Sequence, residues 1–395
     1  MALTITQQPA GASLAQSPMI FTVYEDTGVI QSSSFQYVCD LYYWSGSLNQ
    51  SGSTPQYILT KYPNTSNRGI FDVSNIINSV LQDPLQTNPS NVYFVKGDFY
   101  WQYVTGSTFP TGSHVQSSVV TALDGYQVFP EAIGDNLDQL TPLYPFLTDG
   151  PVTQSRLLND CGDMGVYVGT YGGEAAAPTV LHYSASYEGV FEGYATFALS
   201  GSASSSNQIQ SFPIGPNSPN WPLPSGNDDA DITIVPYAGD DKLNGGILFQ
   251  FQCNQKYPNV RIKWKNRFGQ FDFYNFNLVS RESFSTVTRT YQPQLGSWSG
   301  TSLAYQSYET SKQNYVSDSA QSLQVNTNYL SQEYNDIFKQ LLVSDEIYWI
   351  YDEDNCLIKP LTIKTSTIQF KTGVVDKLIQ YTIDFDLGQN YKLIL

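Results

Sequence analysis

The stretch FQYVCDLYYW, residues 35–44, decides the fold class. Its side chains alternate between two faces at a period of two, which is the spacing of a half-buried β-strand. One of these faces carries Phe35, Tyr37, Cys39, Leu41 and Tyr43. The turn-rich segment SGSLNQSGSTP follows directly. The stretch therefore predicts a strand that ends in a turn and covers a core with one face.

Further strands and one helix surround this stretch in the first third of the chain. Asp72 stands where a helix N-cap is expected, and Pro84 ends the helical pattern. Apolar residues between them recur at i, i+3, i+4, i+7 and i+8, namely Val73, Ile76, Ile77, Val80 and Leu81. Strands are predicted at residues 20–24, 57–62, 92–95 and 99–104. This order predicts an immunoglobulin-like or fibronectin-like β-sandwich with one helix over residues 1–128.

The middle of the chain predicts a second β-rich domain. Residues 129–160 contain Pro and Leu and are predicted to be a connector, and the domain follows over residues 161–290. Its strands are predicted at residues 165–170, 180–184, 193–199, 232–236, 246–253, 260–264 and 270–276. Residues 200–231 are rich in Ser, Pro and Gly, which predicts a long surface loop. A loop of this length usually has a role, and we expect contact with a neighbouring subunit.

The last hundred residues, 291–395, change in character. A polar run over residues 302–327 leads to one helical stripe, made of Leu330, Tyr334, Ile337, Phe338, Leu341 and Leu342. Strands are predicted at residues 346–351, 356–365, 368–372 and 378–387. A helix packed on an antiparallel sheet, an α+β module, fits this order. The predicted fold class is mainly β, with tandem antiparallel β-sandwich or barrel domains before that module.

Composition narrows the classes of function. Charged residues make up 14% of the chain, about half of the usual share, and 29 tyrosines raise the aromatic share to 14%. Tyrosine among hydroxyl and amide side chains suits broad contacts with other subunits, because it hydrogen-bonds without burying charge. A secreted or β-rich binding protein has a similar composition. The net charge of −16 repels phosphate backbones, so we expect no direct binding of nucleic acid.

The positions of the cysteines and the lengths of the apolar segments argue against a zinc site and against a membrane-spanning helix. Cys39, Cys161, Cys253 and Cys356 are spread along the chain without a CxxC pair, which argues against a structural zinc site. Cys39 and Cys253 fall inside apolar strand patterns and are expected to be buried. The first residues lack the pattern of a signal peptide, and no apolar run reaches about 18 residues. We expect a soluble chain that is made in a cytoplasm and does not enter a membrane.

Histidine, the usual general base, offers little support for an enzyme. The two histidines are His114, in a Gly/Ser/Thr loop, and His182, in a predicted strand. Neither belongs to an HxH or HExxH pattern, and a GxSxG elbow is missing. The prediction is that the chain is not an enzyme, that it has no catalytic, cofactor-binding or metal-binding residues, and that it needs no cofactor.

Acidic residues provide the alternatives to this prediction. Paired carboxylates could hydrolyse a glycosidic bond, and the candidates are Asp228, Asp229, Asp231, Asp240 and Asp241. All of them lie in or beside turn-like segments, where an acidic side chain is ordinarily just solvated. The turn Asp352-Glu353-Asp354-Asn355 offers oxygen ligands for calcium but lacks the spacing of an EF-hand.

Two further patterns resemble parts of binding sites. Residues 165–169, GVYVG, and the pair Gly172-Gly173 are rich in glycine but match no phosphate-binding motif, so no nucleotide site is predicted. Trp221, inside the proline-rich loop, is the best candidate for a sugar-stacking platform. More often such a residue anchors its loop to its own domain or to a partner.

Four motifs, in order along the chain, carry a resemblance to a known family. They are GIFDVSNI at residues 69–76, PFLTDGP at 145–151, RIKWKNRFGQFDFYNF at 261–276, and LLVSDEIY at 341–348 continued by IKPLTI at 358–363. Together they resemble virion structural proteins of tailed phages that infect Bacteroidetes, and of related uncultured phages. Lys265, Gln270 and the pair Gly97-Asp98 depart from the family pattern.

The resemblance implies a structural component of a phage virion, with other virion structural proteins as partners. The antiparallel sheet with one helix at the C-terminus suits a ring, because its edge strands can join copies of the chain, so we expect a symmetric ring of this protein in the tail, baseplate or neck. The expected location is the virion, after synthesis in the cytoplasm of the host bacterium. Alternatives are a receptor- or glycan-binding appendage, with a host surface glycan as a partner, a capsid decoration protein, and a polysaccharide depolymerase.

Overall fold

The computed structural model describes residues 3–26, 30, 32–48, 54–81, 92–127, 143–169, 177–200, 208–224, 229–252, 256–372, 379–388 and 392–394. The protein is mainly β and contains several antiparallel sheets, as the sequence predicts. The described residues form two compact units, Met1–Cys253 with Lys265–Asp272, and Asn254–Trp264 with Phe273–Leu395. No helix in the described ranges is long and apolar enough to cross a membrane.

The first unit begins with a sandwich of two sheets that enclose a core. Its elements are β1 (Thr4–Gln7), β2 (Ala12–Leu14), β3 (Ile20–Tyr24), β4 (Gln36–Trp44), β5 (Tyr57–Lys61), β6 (Arg68–Asp72), α1 (Ser74–Leu81), β7 (Val92–Gln102), β8 (Val115–Gln116) and β9 (Val120–Leu123). One sheet has the order β1-β3-β6 and the other the order β2-β9-β7-β4-β5, with β8 beside β7. The core between them includes Phe21, Phe71, Tyr37, Cys39 and Phe99.

The predicted helix and its start are confirmed. The Asp72 carboxylate accepts a hydrogen bond from the backbone N–H of Ser74 at 3.0 Å, and Ile77 is buried in the sandwich core. The predicted end at Pro84 lies outside the described residues. The two strands predicted at 92–95 and 99–104 are one strand, β7, because Gly97 and Asp98 stay in the ladder opposite Leu41 and Asp40.

The first unit continues with two further sheets. The larger one consists of β10 (Thr153–Arg156), β12 (Val180–Tyr187), β13 (Val190–Ala198), β15 (Asp231–Ala238), β16 (Asp241–Lys242) and β17 (Ile247–Phe251), and the smaller one of β11 (Asp163–Tyr167) and β14 (Ile209–Pro213). The sheet order is β10-β17-β15-β12-β13, and β11 pairs with β14. A small core that includes Leu14, Leu123, Leu147 and Phe268 lies within the same unit.

Two predictions for this region differ from the structure. The predicted loop over 200–231 contains β14, because Ile209 and Phe212 bury their side chains while the strand pairs with β11. Residues 201–207 and 225–228 of that loop lie outside the described residues. The predicted connector over 129–160 is described from residue 143, where Phe146 and Leu147 are buried and Thr153–Arg156 joins the sheet.

The second unit is a large antiparallel sheet with one helix packed against it. Its elements are β18 (Val260–Lys265), β19 (Phe271–Phe276), β20 (Arg281–Tyr291), β21 (Ser297–Trp298), β22 (Leu303–Ala304), β23 (Gln313–Asn326), a 3-10 turn (Gln332–Tyr334), α2 (Asn335–Val343), β24 (Ile347–Asp352), β25 (Leu357–Ile363), β26 (Thr382–Leu387) and β27 (Lys392–Ile394). The sheet order is β19-β18-β24-β25-β26-β23-β20, with β27 beside β23.

The predicted α+β module is confirmed, with corrections to its parts. Helix α2 buries Ile337, Phe338 and Leu341 against the sheet. The sheet starts earlier in the chain than residue 291, because β18 pairs with β24. The polar run over 302–327, for which no strand was predicted, contains the whole of the 14-residue strand β23. Residues 368–372, predicted to be a strand, form none.

Candidate functional site

The structure places both histidines against aromatic rings. His114 stacks on the Tyr100 ring, with 4.5 Å between ring centroids, and its Nδ1 lies 3.2 Å from a carboxylate oxygen of Asp98. His182 stacks on Tyr237 at 3.8 Å and bonds the hydroxyl of Tyr194 at 2.7 Å. Each histidine thus sits among tyrosines on a strand surface.

The acidic candidates lie at turns and strand ends. Asp231 accepts a hydrogen bond from the backbone N–H of Phe251 at 2.7 Å, while Asp229, Asp240 and Asp241 are exposed or lie in turns. Asp228 lies outside the described residues. Among the residues that the structure describes, no group of three or more His, Cys, Asp or Glu side chains could hold a metal ion.

The acidic turn after β24 is closed by its own hydrogen bonds. Asp352 accepts bonds from the backbone N–H of Asn355 at 3.2 Å and from its side-chain amide at 2.9 Å. These bonds lower the pKa of the Asp352 carboxyl below its ordinary value. The carboxylate that was considered for calcium therefore already fixes the turn.

The other candidates are Trp221, the glycine-containing stretch and the two cysteines that were expected to be buried. Trp221 packs edge-to-face on the buried Tyr183, with 5.7 Å between ring centroids, so it anchors its segment to its own unit. Residues 163–167 of the glycine-containing stretch form β11, and Gly172 and Gly173 lie outside the described residues. Cys39 is buried in the sandwich core, as predicted, and Cys253 lies outside the described residues.

One carboxyl pair was missed by the sequence reasoning. Asp40 on β4 lies directly opposite Asp98 on β7, and each has an Oδ1 atom that is buried without a hydrogen-bond partner. Burial, together with the Asp98 charge, raises the pKa of the Asp40 carboxyl above its ordinary value. The two residues lie 58 positions apart, so only knowledge of the strand register reveals the pair.

The most unusual surface of the protein is an exposed β-arm in the second unit. We call residues 281–324 the arm, which comprises β20, the part of β23 that pairs with it and the tip between them. Every residue of β20 is exposed, on both faces of the strand. At about 3.3 Å per residue its 11 residues span roughly 36 Å. The arm is a ribbon of two strands towards its tip, and nearer its base β23 also pairs with β27 at Val316–Asp318 and with β26 at Ser322–Asn326.

Apolar and aromatic side chains cover this arm. Phe284 is 61% exposed, Trp298 70% and Tyr308 80%. Val287, Tyr291, Leu303 and Tyr305 are exposed as well. Scattered exposed apolar residues are normal, but a concentration of them on one extension is typical of an interaction site.

The arm is ordered by its own hydrogen bonds. The Tyr291 hydroxyl donates to the Gln313 side chain at 2.7 Å, and Gln321 donates to Glu282 at 2.9 Å. At the tip, the backbone N–H of Gly296 donates to the Glu309 carboxylate at 2.7 Å. These bonds organise the ribbon along its length, so its exposed side chains are presented on a defined scaffold.

The outer side of β20 is a sheet edge. In the described part of the chain β20 pairs with β23 alone, so the N–H and C=O groups along its other side have no strand partner. A long exposed edge readily accepts a strand from another molecule, and soluble proteins usually protect it. The edge and the aromatic tip make the arm the candidate functional site.

Two of the four motifs, at 145–151 and 261–276, contact each other at a buried turn. The turn between β18 and β19 is organised by Asn266, whose side-chain oxygen accepts the backbone N–H groups of Phe268 and Gln270 at 3.0 and 3.1 Å. The amide of Asn266 donates to the backbone oxygen of Leu147 at 2.8 Å. The motif at 261–276 thereby meets the motif at 145–151 within the first unit.

Two further side-chain contacts join the motifs at 145–151 and 261–276. Thr148 donates to the buried Asp272 carboxyl at 2.6 Å, and Arg267 pairs with Asp149 at 2.7 Å. Lys265 pairs with Asp124 at 2.9 Å. The motif residues act here on each other, which is a role in folding and needs no ligand.

Asp272 makes stability depend on pH. Burial raises the pKa of its carboxyl from 3.8 to about 7. The folded state therefore binds more protons than the unfolded state between about pH 4 and pH 7, and this contribution to the free energy of unfolding is lost as the pH rises through 7. The full difference corresponds to roughly 4 kcal/mol.

The Asp272→Asn variant is expected to lose this pH dependence. The free energy of unfolding of the variant, relative to that of wild type, should rise by a few kcal/mol from pH 5 to pH 8, as measured by urea denaturation at both pH values. The informative quantity is the change in this difference between the two pH values. The introduced amide also buries an N–H group that needs a hydrogen-bond partner, and this cost is the same at both pH values. An equal difference at pH 5 and pH 8 would show that Asp272 titrates normally.

Comparison with known proteins adds no argument about this chain. No family model matches the chain, and no curated protein matches it. Among solved structures, the extracellular domains 3–5 of Drosophila OTK are similar at a TM-score of 0.21 and 8% sequence identity. The match covers 81% of this chain and 92% of that chain, and at this TM-score it carries no functional argument.

Proposed function

We propose that the protein is a non-enzymatic structural component of a tailed-phage virion, placed in the tail, baseplate or neck. In this role it assembles with copies of itself into a symmetric oligomer and contacts other virion proteins. The observation that carries the proposal is the arm, because its 11-residue edge strand is exposed on both faces and pairs on one side only.

The surface chemistry supports assembly. The exposed side chains of β20 are mainly Ser, Thr, Phe, Val and Tyr, and its charged residues are Arg281, Glu282 and Arg289. A partner strand can cover such an edge without burying many charges, which keeps the cost of desolvation low. An arm that served only to keep the chain soluble would be expected to carry more charge.

The buried turn supports the family resemblance. The motifs at 145–151 and 261–276 are distant in sequence but join through Asn266, Thr148 and Asp272. Motifs that hold each other in place are expected where selection maintains a scaffold, while a catalytic site is expected to present its groups to a cleft. The proposal therefore assigns these motifs to the framework and assigns assembly to the arm.

Purified virions of a phage that encodes the chain provide the test. Mass spectrometry of gradient-purified particles should find the protein at many copies per particle, and chemical cross-linking should join it to itself and to other virion proteins. The same particles after mild removal of the tails should show whether the protein leaves with the tail or stays with the head. Particles without the protein would contradict the proposal.

A further inference from the structure

A second exposed edge strand lies in the first unit. Strand β13 ends its sheet and pairs with β12 alone in the described part of the chain. Its outward residues include Val190, Phe191 and Tyr194, all of which are exposed. Two sheets of the protein thus present a free edge that carries aromatic and branched side chains.

The charges of the two edges are opposite. Strand β13 carries Glu192, with Glu188 in the preceding turn, while β20 carries Arg281, Glu282 and Arg289 and so has a net positive charge. All five side chains are exposed, and the described residues include no ion-pair partner for Glu192 or Arg289. Opposite charges at facing edges favour encounter in one orientation and disfavour pairing of either edge with itself.

The side chains also match in an antiparallel register. Residues 193–198 form the regular part of β13, and laid against residues 283–288 they place Tyr194 opposite Val287 and Phe197 opposite Phe284. The next position brings Glu192, at the bulge in β13, beside Arg289. Directly opposite pairs on one face are the unit of sheet stability, and aromatic pairs with β-branched or aromatic residues are among the better ones.

We propose that β20 of one copy adds to β13 of a second copy as an antiparallel strand. This inference rests on the proposed self-assembly and names its interface. Because the two strands are different surfaces of the same chain, the contact is head-to-tail, and every copy has one of each to offer. Contacts of that kind repeat from copy to copy and close into a ring when the rotation between copies permits.

A second copy is the occupant that the charges favour. Strand β13 carries one acidic residue, Glu192, and β20 has a net positive charge, so the β20 edge of one copy meets an edge of opposite charge on another copy. In the β13–β20 contact, both edge strands gain a strand partner.

Charge reversal in the full chain tests the pairing. Glu192→Arg and Arg289→Glu should each weaken self-association about tenfold in sedimentation velocity, since each places like charges beside one another. The variant that carries both substitutions should recover most of the wild-type association. Loss without recovery in the double variant, or no loss in either single variant, would overturn the inference.

Disulfide trapping gives a readout that does not depend on ring stability. A mixture of the Tyr194→Cys and Val287→Cys variants should form a mixed cross-linked dimer under mild oxidation, while wild type, with its native cysteines, forms none. A Val287→Cys dimer with itself in place of the mixed dimer would show β20–β20 pairing and overturn the inference while self-assembly stands. Wild type that neither associates nor occurs in virions would contradict the proposed function itself.

Discussion

Replacing Phe284 and Val287 by serine is expected to abolish self-association while the protein stays folded. Both side chains are exposed in the single chain, so the free energy of unfolding should change by less than about 0.5 kcal/mol. Buried in a contact, side chains of this size contribute roughly 1.5–3 kcal/mol each. The double variant should therefore associate at least 100-fold more weakly, as measured by sedimentation velocity over a concentration series.

The sandwich offers a matched control for this variant. Phe109 is 65% exposed, close to Phe284 at 61%, but it lies in the loop before β8 and not on the arm. Phe109→Ser removes a similar exposed ring and should leave association as in wild type. If both variants self-associate as strongly as wild type, the arm is not the interface. If both lose self-association equally, the association is nonspecific aggregation.

Alanine at Gly269 in the buried turn, or at Gly125, which packs against that turn, is expected to destabilise the first unit strongly. Gly269 has a φ of 71°, and a Cβ there would lie 2.6 Å from the backbone oxygen of Asp124. Gly125 has a φ of 149°, and its Cβ would meet the backbone oxygen of Arg267. A left-handed residue costs about 1–3 kcal/mol, and backbone atoms cannot yield as a flexible side chain does.

We expect Gly269→Ala and Gly125→Ala each to lower the free energy of unfolding by about 2–4 kcal/mol in urea denaturation. Gly189→Ala is the control for conformation alone, because Gly189 has a φ of 81° with open space around it. Gly11→Ala controls for the substitution itself, since Gly11 has neither constraint. A loss at Gly269 and Gly125 no larger than at Gly189 would contradict the close backbone approach.

The sequence predicts best where alternation or helical spacing faces a core. The face of Tyr37, Cys39 and Leu41 is buried, and Asp72 starts the helix that its position predicts. Hydrophobic burial acts through periods of two and of 3.6 residues, and both periods are visible in a single sequence. The fold class follows from such stretches without knowledge of which strands pair.

The arm could not be found in this way because it has no buried face. Strand β20 lacks an apolar–polar alternation, since both of its faces are exposed. The remaining signal was its content of Thr, Val, Phe and Tyr, which favour strands. Strand β23 is hidden for a similar reason, since its first residues are exposed and only Leu323 and Val325 near its end enter the core.

The buried turn and the carboxyl pair depend on contacts between distant residues. Asn266 and Leu147 are 119 positions apart, and Thr148 and Asp272 are 124 positions apart. The motifs indicated that these residues matter, but spacing along the chain does not say that one motif holds the other. The opposition of Asp40 and Asp98 likewise depends on the register between β4 and β7.

Native mass spectrometry of the purified full chain tests self-assembly most directly. The account predicts one dominant closed oligomer of three or more copies for wild type, and monomer for the variant with Phe284→Ser and Val287→Ser. The Phe109→Ser variant should give the wild-type spectrum. Monomer for wild type at every concentration, or the same oligomer for the arm variant as for wild type, would contradict assembly through the arm.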